Sequence, residues 1–432
     1  MKKIYRVFVN ITILATFFLT HTNVYAQNSF DKWFKDNGLR IDYYHTGTDK
    51  TEQILFKELK FEEKWGGRKN NLIDKFAYGS YFVEVFDLKT KTLIYSYGFC
   101  SLFEEWQFTA EAKTMSRGFP ESLIIPFPKN KVKVELSSRQ YEDNSFKKIF
   151  EIEIDPADLA INYEKPVNAE VKKIFGKLEP ENALDLVFIG DGYTKNEINS
   201  FYEDVQKTAE YLFETEPFKT NKEKINIWAV AAISLESGTD IPHEKIWKST
   251  ALNTNFYTFR SDRYLTTSDY HSVRDYAGLA PCDQICILVN TETYGGGGIY
   301  NFWNITSAKN SHRFEVFVHE LGHSLAALGD EYYADEVSYE DIYNKKLEPY
   351  QANLTTLVNF DSKWKNMLNE NTPIPTPVTK ENLKTIGVYE GGGYQKQGIY
   401  RPYISCKMKS LGVDFCPVCQ KAISEIINFY AE

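Results

Sequence analysis

The stretch Phe314-Glu315-Val316-Phe317-Val318-His319-Glu320-Leu321-Gly322-His323-Ser324-Leu325-Ala326-Ala327-Leu328-Gly329-Asp330-Glu331-Tyr332-Tyr333 decides how the second half of this chain is read. Apolar Phe314, Phe317, Val318, Leu321, Leu325 and Leu328 recur at intervals close to three and four residues, the mark of one stripe on a helix. His319 and His323 lie four apart on the far side of that stripe, with the small Ala326 and Ala327 beside them. Two imidazoles so placed can bind one zinc ion, and Glu320 beside the first can hold a water against it. With 7 His in 432 residues, H-E-x-x-H arises by chance in roughly one such chain in a hundred, so the helical context carries the reading. Two satisfied core histidines are the plain alternative. Gly329 is well placed to end the helix.

A catalytic zinc site usually takes three protein ligands and leaves one position open. A straight helix would carry Asp330 roughly 10 Å along the axis from His323. A break at Gly329 would let the chain fold back and return its carboxylate. Glu331, Asp335 and Glu336 compete for the same role, and a capping or ion-paired acid is the plain alternative. As a carboxylate, Glu320 can take a proton from water activated by the metal and pass it to a leaving amine.

Outward from this stretch the chain divides in two. Residues 1–26 read as a leader: Lys2, Lys3 and Arg6 precede an apolar run from Val7 to Leu19, and Val24-Tyr25-Ala26 offers a cleavage site. That run is too short to span a bilayer comfortably, and no other apolar run approaches the length of a membrane helix. The expected product is exported: secreted, periplasmic or held at the cell surface. Losing three basic residues and no acid takes the net charge from -9 to -12. So acidic a chain is not built around nucleic acid or an anionic membrane.

Residues 27–165 read as an antiparallel β-sandwich. Tyr81 to Phe86 is dense in β-formers, and a polar turn leads to Leu93-Ile94-Tyr95. Val132 to Leu136 and Phe150 to Ile154 alternate apolar with polar, one face for a core and one for water. The Pro- and charge-rich stretch 166–182 reads as a linker. From 183 to 432 the rhythm becomes mixed α/β. Ala183 to Ile189, Ile225 to Ile233 and Ile285 to Val289 are expected buried strands, and Glu197 to Phe213 an expected helix. The glycine run Gly295 to Gly298 follows the last of these strands. It would let a peptide backbone approach a strand edge closely.

Export changes how the six Cys are read. Cys406, Cys416 and Cys419 are crowded enough for one local disulfide, and Cys282 and Cys286 could pair with each other or with that cluster. Three Cys so close could instead help hold a structural zinc, but no fourth ligand is evident in the sequence. Cys100 reads as a buried free thiol.

His319-Glu320-x-x-His323 followed by Asp330-Glu331-Tyr332 resembles the bacterial IgA-protease-type zinc peptidases, a metzincin-like group. Gly190-Asp191-Gly192-Tyr193-Thr194, the Gly295 to Gly298 run, Tyr400-Arg401-Pro402, Cys406-x-Met408 and Asp42-Tyr43-Tyr44-His45-Thr46-Gly47 are similar to that family as well. The resemblance implies an α+β chain of two domains, an N-terminal β-sandwich and a metzincin-like zinc-peptidase domain. It also implies Asp330 as third ligand, although metzincins at large place a His where this chain has Gly329. Met408 resembles the methionine turn beneath the metal of metzincins. Either Tyr394 or Tyr400 could donate to an oxyanion, and Tyr400 is the first choice. The expected protein is therefore a zinc endopeptidase acting on a protein or peptide substrate, with immunoglobulin A one candidate. Its rivals are an exported protein with a vestigial site that recognises a glycan or host protein, and a zinc hydrolase acting on another bond.

Overall fold

The computed structural model describes residues 30–165, 167–333 and 342–432. The expected leader, the competing acids Asp335 and Glu336, and Pro166 of the expected linker lie outside the described residues.

After a single turn, α1 (Phe30–Trp33), the chain enters β1 (Phe34–Gly47) and returns in β2 (Glu52–Glu62). There follow β3 (Tyr81–Asp87), β4 (Leu93–Phe99), the short α2 (Leu102–Gln107), β5 (Arg117–Pro128), β6 (Val132–Arg139) and β7 (Phe146–Ile154). These strands form two antiparallel sheets, ordered β2-β1-β5 and β4-β3-β6-β7. Alternation along each strand fills the space between them: Leu39, Ile41 and Tyr43 of β1 share one apolar cluster with Val83, Val85, Val134 and Leu136.

The expected linker is more than a connection. Within it, β8 (Val171–Phe175) pairs antiparallel with β10 (Ile225–Val230) and forms one edge of a six-stranded sheet. The prolines and charges that suggest a linker flank this strand; its half-buried pattern suits an edge. The other members are β9 (Leu184–Asp191), β13 (Gln284–Val289), β14 (Gly296–Ile299) and β15 (Trp303–Ser307), in the order β14-β15-β13-β9-β10-β8. Two-residue strands β11 (Thr254–Asn255) and β12 (Thr266–Thr267) pair separately. The four central strands β15, β13, β9 and β10 run parallel, while β14 and β8 are antiparallel edges.

Parallel central strands are buried on both faces, and β9 shows it by having all eight residues buried. Its alternate residues serve different layers. Val187 and Ile189 join the apolar core of the N-terminal sandwich, together with Ile285, Ile287 and α4 (Tyr270–Ala277). Leu184, Leu186 and Phe188 face the opposite core, which is closed by α3 (Ile198–Leu212), α5 (Arg313–Ala326) and α6 (Pro417–Ala431). The two halves thus share a continuous core. A hairpin of β16 (Tyr389–Gly392) and β17 (Gln395–Arg401) precedes α6. Among the described residues no helix is long and apolar enough to cross a membrane.

Candidate active site

Helix α5 is the expected helix. It buries Val316, Phe317, Val318, Leu321 and Leu325 against the sheet and leaves His319, Glu320 and His323 half-buried at a cleft of about 570 Å³. It ends earlier than the glycine predicts. Ala327 takes the left-handed conformation at φ 48°, and its N–H bonds back to the carbonyl of His323 at 3.0 Å, an αL cap, while the N–H of Leu328 reaches the carbonyl of Gly322 at 3.1 Å. Gly329 has a different task. A Cβ there would lie 2.4 Å from Leu354 Cδ1, and its backbone N–H and carbonyl are each bonded at 2.8 Å by the side chain of buried Asn353.

The fold-back brings Asp330 to the histidines. Its Oδ1 stands 3.3 Å from Nε2 of both His319 and His323, and the two nitrogens are 3.2 Å apart. The tautomers follow from the other ring nitrogens. His319 Nδ1 donates to the carbonyl of Lys407 at 2.8 Å and His323 Nδ1 to that of Leu328 at 2.6 Å. In the neutral rings each Nε2 then presents a lone pair. Three lone pairs therefore converge, and Asp330 Oδ1 is buried without a hydrogen bond. Bonds of about 2.0–2.1 Å from zinc to nitrogen or oxygen put the donors of a tetrahedral site about 3.3–3.4 Å apart. The observed spacing and the N, N, O donor set fit such an ion.

The other Asp330 oxygen, Oδ2, accepts from the hydroxyl of Tyr394 at 2.5 Å. Tyr394 sits at the tip of the β16–β17 hairpin, held there by Gly393 N–H to the carbonyl of Asp330 at 2.7 Å and its own N–H to that of Tyr332 at 3.1 Å. Tyr400, the first choice from sequence, is not at the cleft. It lies further along β17, bridged to Thr355 by its backbone and to Glu390 by its side chain. Position along the hairpin decides this: the tip docks on Asp330 and Tyr332 and the stem pairs with Thr355.

Electrostatics match the geometry. Burial opposes charge on both imidazoles, but the Asp330 carboxylate outweighs it and raises both, His323 to about 9. The histidines in turn hold Asp330 far below the usual carboxylate range against the cost of its burial. Burial pushes Glu320 upward, partly offset by the two histidines. Its carboxyl lies within 4.8 Å of the histidine nitrogens. Glu331, the nearest competitor of Asp330, points elsewhere, toward Cys419.

Two further elements shape the cleft. Strand β14 runs along it at the sheet edge, and its glycines are required by α5. A Cβ on Gly298 would lie 2.3 Å from the carbonyl oxygen of Glu320. Met408 is fully buried beneath the histidine turn, where a Cβ on Gly322 would meet its sulfur at 2.6 Å. No sequence signal pointed to the carbonyls of Lys407 and Leu328, because any residue supplies one. Asn353, which holds the loop through Gly329, is fully buried and was not singled out in the sequence for that role.

Among the six cysteines none forms a disulfide. Cys282 and Cys286 are free, and Cys100 is a buried thiol near Ser80 and Tyr350, as expected for it.

A search among curated proteins finds no match. Family models give two. One described as IgA Peptidase M64 matches residues 174–386 and 380–427, and one described as Peptidase M64 N-terminus matches residues 29–151.

Proposed function

Because the chain belongs to the IgA Peptidase M64 family, we propose that this peptidase is an exported, zinc-dependent endopeptidase with a metzincin-like catalytic domain. The observation that carries the reading is the convergence of His319 Nε2, His323 Nε2 and Asp330 Oδ1 within 3.3 Å of one another. These three residues would hold the ion. Bound there, zinc supplies Lewis acidity toward the scissile carbonyl and makes water acidic enough to react near neutral pH.

The protein's own groups do the rest. Glu320 takes the proton of the attacking water and delivers it to the leaving amine. Burial favours the first transfer by raising the basicity of this carboxylate. Tyr394 occupies Asp330 Oδ2 and so keeps Oδ1 aimed at the histidines. Beyond Gly296, whose backbone already pairs with Arg263 and Leu265, the edge of β14 offers backbone groups along which an extended peptide can align. The substrate is a protein; immunoglobulin A, which names the family, is one candidate among exported or host proteins. An intact donor set with its orienting hydrogen bonds argues against a vestigial site.

The test is cleavage-site profiling on a complex proteome with wild-type and Glu320→Ala protein, alongside elemental analysis. Cleavage by wild type alone, with the ion retained at the histidines in both proteins, is expected. Protein that takes up no metal there when zinc is supplied, or equal cleavage by both proteins, would sink the reading.

A further inference from the structure

The three cysteines left without a role come together around Glu331. Cys406 Sγ is 3.7 Å from Cys419 Sγ, and Cys419 Sγ is 3.3 Å from Glu331 Oε1. Cys416 completes the group. One ligand atom from each of the four residues lies within 4.8 Å of the other three, and all four residues are buried. Zinc–sulfur bonds of about 2.3 Å set the sulfurs of a tetrahedral site about 3.8 Å apart, and a sulfur and an oxygen about 3.6 Å apart. A disulfide would need about 2.05 Å.

Three features point to a cation at the centre. The first is the carboxylate. Glu331 Oε2 is buried without a hydrogen bond, and among the described residues no ion pair reaches Glu331. Arg401 is near enough to act on Glu331 through space, but its Nη1 donates to the carbonyls of Glu390 and Gly391 and no ion pair forms between the two side chains. The second is the C-x-x-C unit Cys416-Pro417-Val418-Cys419, a spacing common in zinc sites. It opens α6, with Cys416 as N-cap, and the Cys416 N–H donates to Cys406 Sγ at 3.3 Å. A helix N-terminus and an N–H to sulfur both favour thiolate. The third is burial. Redox C-x-x-C pairs are partly exposed, whereas Cys416 is 2% and Cys419 0% exposed. One disulfide among the three would also strand a third thiol against a buried carboxylate.

We propose that Glu331, Cys406, Cys416 and Cys419 form a second, closed metal site for a thiophilic divalent cation, zinc by donor chemistry. All four positions are filled by protein, so the site is structural, and binding releases the thiol protons to solvent. Its place gives it a purpose. Glu331 follows Asp330, and Cys406 precedes Lys407 and Met408, whose carbonyls accept from His319 and from the N–H of Glu331. Metal here would pin the two segments that position the proposed catalytic ligands.

The test uses the full chain, expressed with zinc, in wild-type form and as the His319→Ala/His323→Ala double variant. Elemental analysis should give two zinc ions per wild-type chain and one per double-variant chain. Cobalt exchanged into the double variant should show the near-ultraviolet absorption of thiolate bound to metal, and adding Cys416→Ser and Cys419→Ser should abolish both signals. Should the cysteine variants fail to fold, the double variant alone decides. A double variant with no metal, or a disulfide among the three cysteines in native protein by mass spectrometry, would overturn the proposal. Failure of the histidine site alone leaves one cysteine-bound ion, so the two proposals fail separately.

Discussion

The N–H of Glu331 donates to the carbonyl of Met408 at 2.8 Å, tying the acidic loop after α5 to the turn beneath it. On one side of this bond lie Asp330 and the two histidines. On the other lie Glu331 and the three buried cysteines. Adjacent acids thus face two different clusters.

Asp330→Ala should remove the ion held by the histidines, with a loss of affinity exceeding the about 10–100-fold that follows loss of an orienting neighbour. Glu331→Gln should leave that ion in place and weaken only the cysteine cluster. Metal titration of both variants checks this, and an equal effect of the two substitutions would refute the division of labour.

Tyr394→Phe should lower activity by about 10–100-fold, because Asp330 Oδ2 loses its donor and the carboxylate is free to turn. Tyr400→Phe should change activity by less than about two-fold, its side chain being engaged by Glu390 on the hairpin stem. Steady-state rates of the two variants on one protein substrate separate them; a larger loss in Tyr400→Phe would contradict the geometry.

Gly322→Ala places a methyl 2.6 Å from Met408 Sδ. Helix propensity alone would favour alanine by about 1 kcal/mol. Overpacking costs about 1–3 kcal/mol, and the methyl would press on fully buried Met408 and on the Phe415 ring at 3.2 Å. Overpacking should win, so the variant should melt lower than wild type. A rise in Tm would show that the methionine yields.

Stability should fall between about pH 4 and pH 7 through a buried acid pair remote from the cleft. Burial raises Asp185 to about 7, and burial together with the nearby Asp185 raises Asp283 well above its ordinary value. The folded chain therefore keeps protons that the unfolded chain releases near pH 4, so its stability is lost as pH rises through the folded values. Asp283→Asn retains an acceptor for the N–H of Asp185, bonded at 2.9 Å, and removes one charge. The variant should gain a few degrees in Tm over wild type at about pH 8 and little at about pH 5. An equal change at both values would rule the pair out as the cause.

Much of the site was legible along the chain because it is local. The stripe of Phe317, Val318, Leu321 and Leu325 fixed the helix, and a spacing of four put His319 and His323 on one face. Dense β-formers found β3 and β4, period-two alternation found β6 and β7, and continuous apolar runs found β9, β10 and β13, while β1, β2 and β5 went unread. The helix end was misread, since Gly329 signalled a turn that Ala327 makes. Alanine is tolerated there because two returning hydrogen bonds hold it, from the N–H groups of Ala327 and Leu328. Tyr394 and Tyr400 belong to one hairpin, and only the docking of its tip on Asp330 and Tyr332 tells them apart.

The sequence by itself determined the helix, its two histidines, the acid beside them and the strand order of polarity, all set by residues a few positions apart. Tertiary structure decided which of two adjacent acids meets the histidines, which tyrosine supports it, and that three scattered cysteines converge on the other acid. Those choices depend on where segments some 60 to 90 residues apart along the chain are brought together, and nothing in local spacing encodes the direction from which a distant loop arrives.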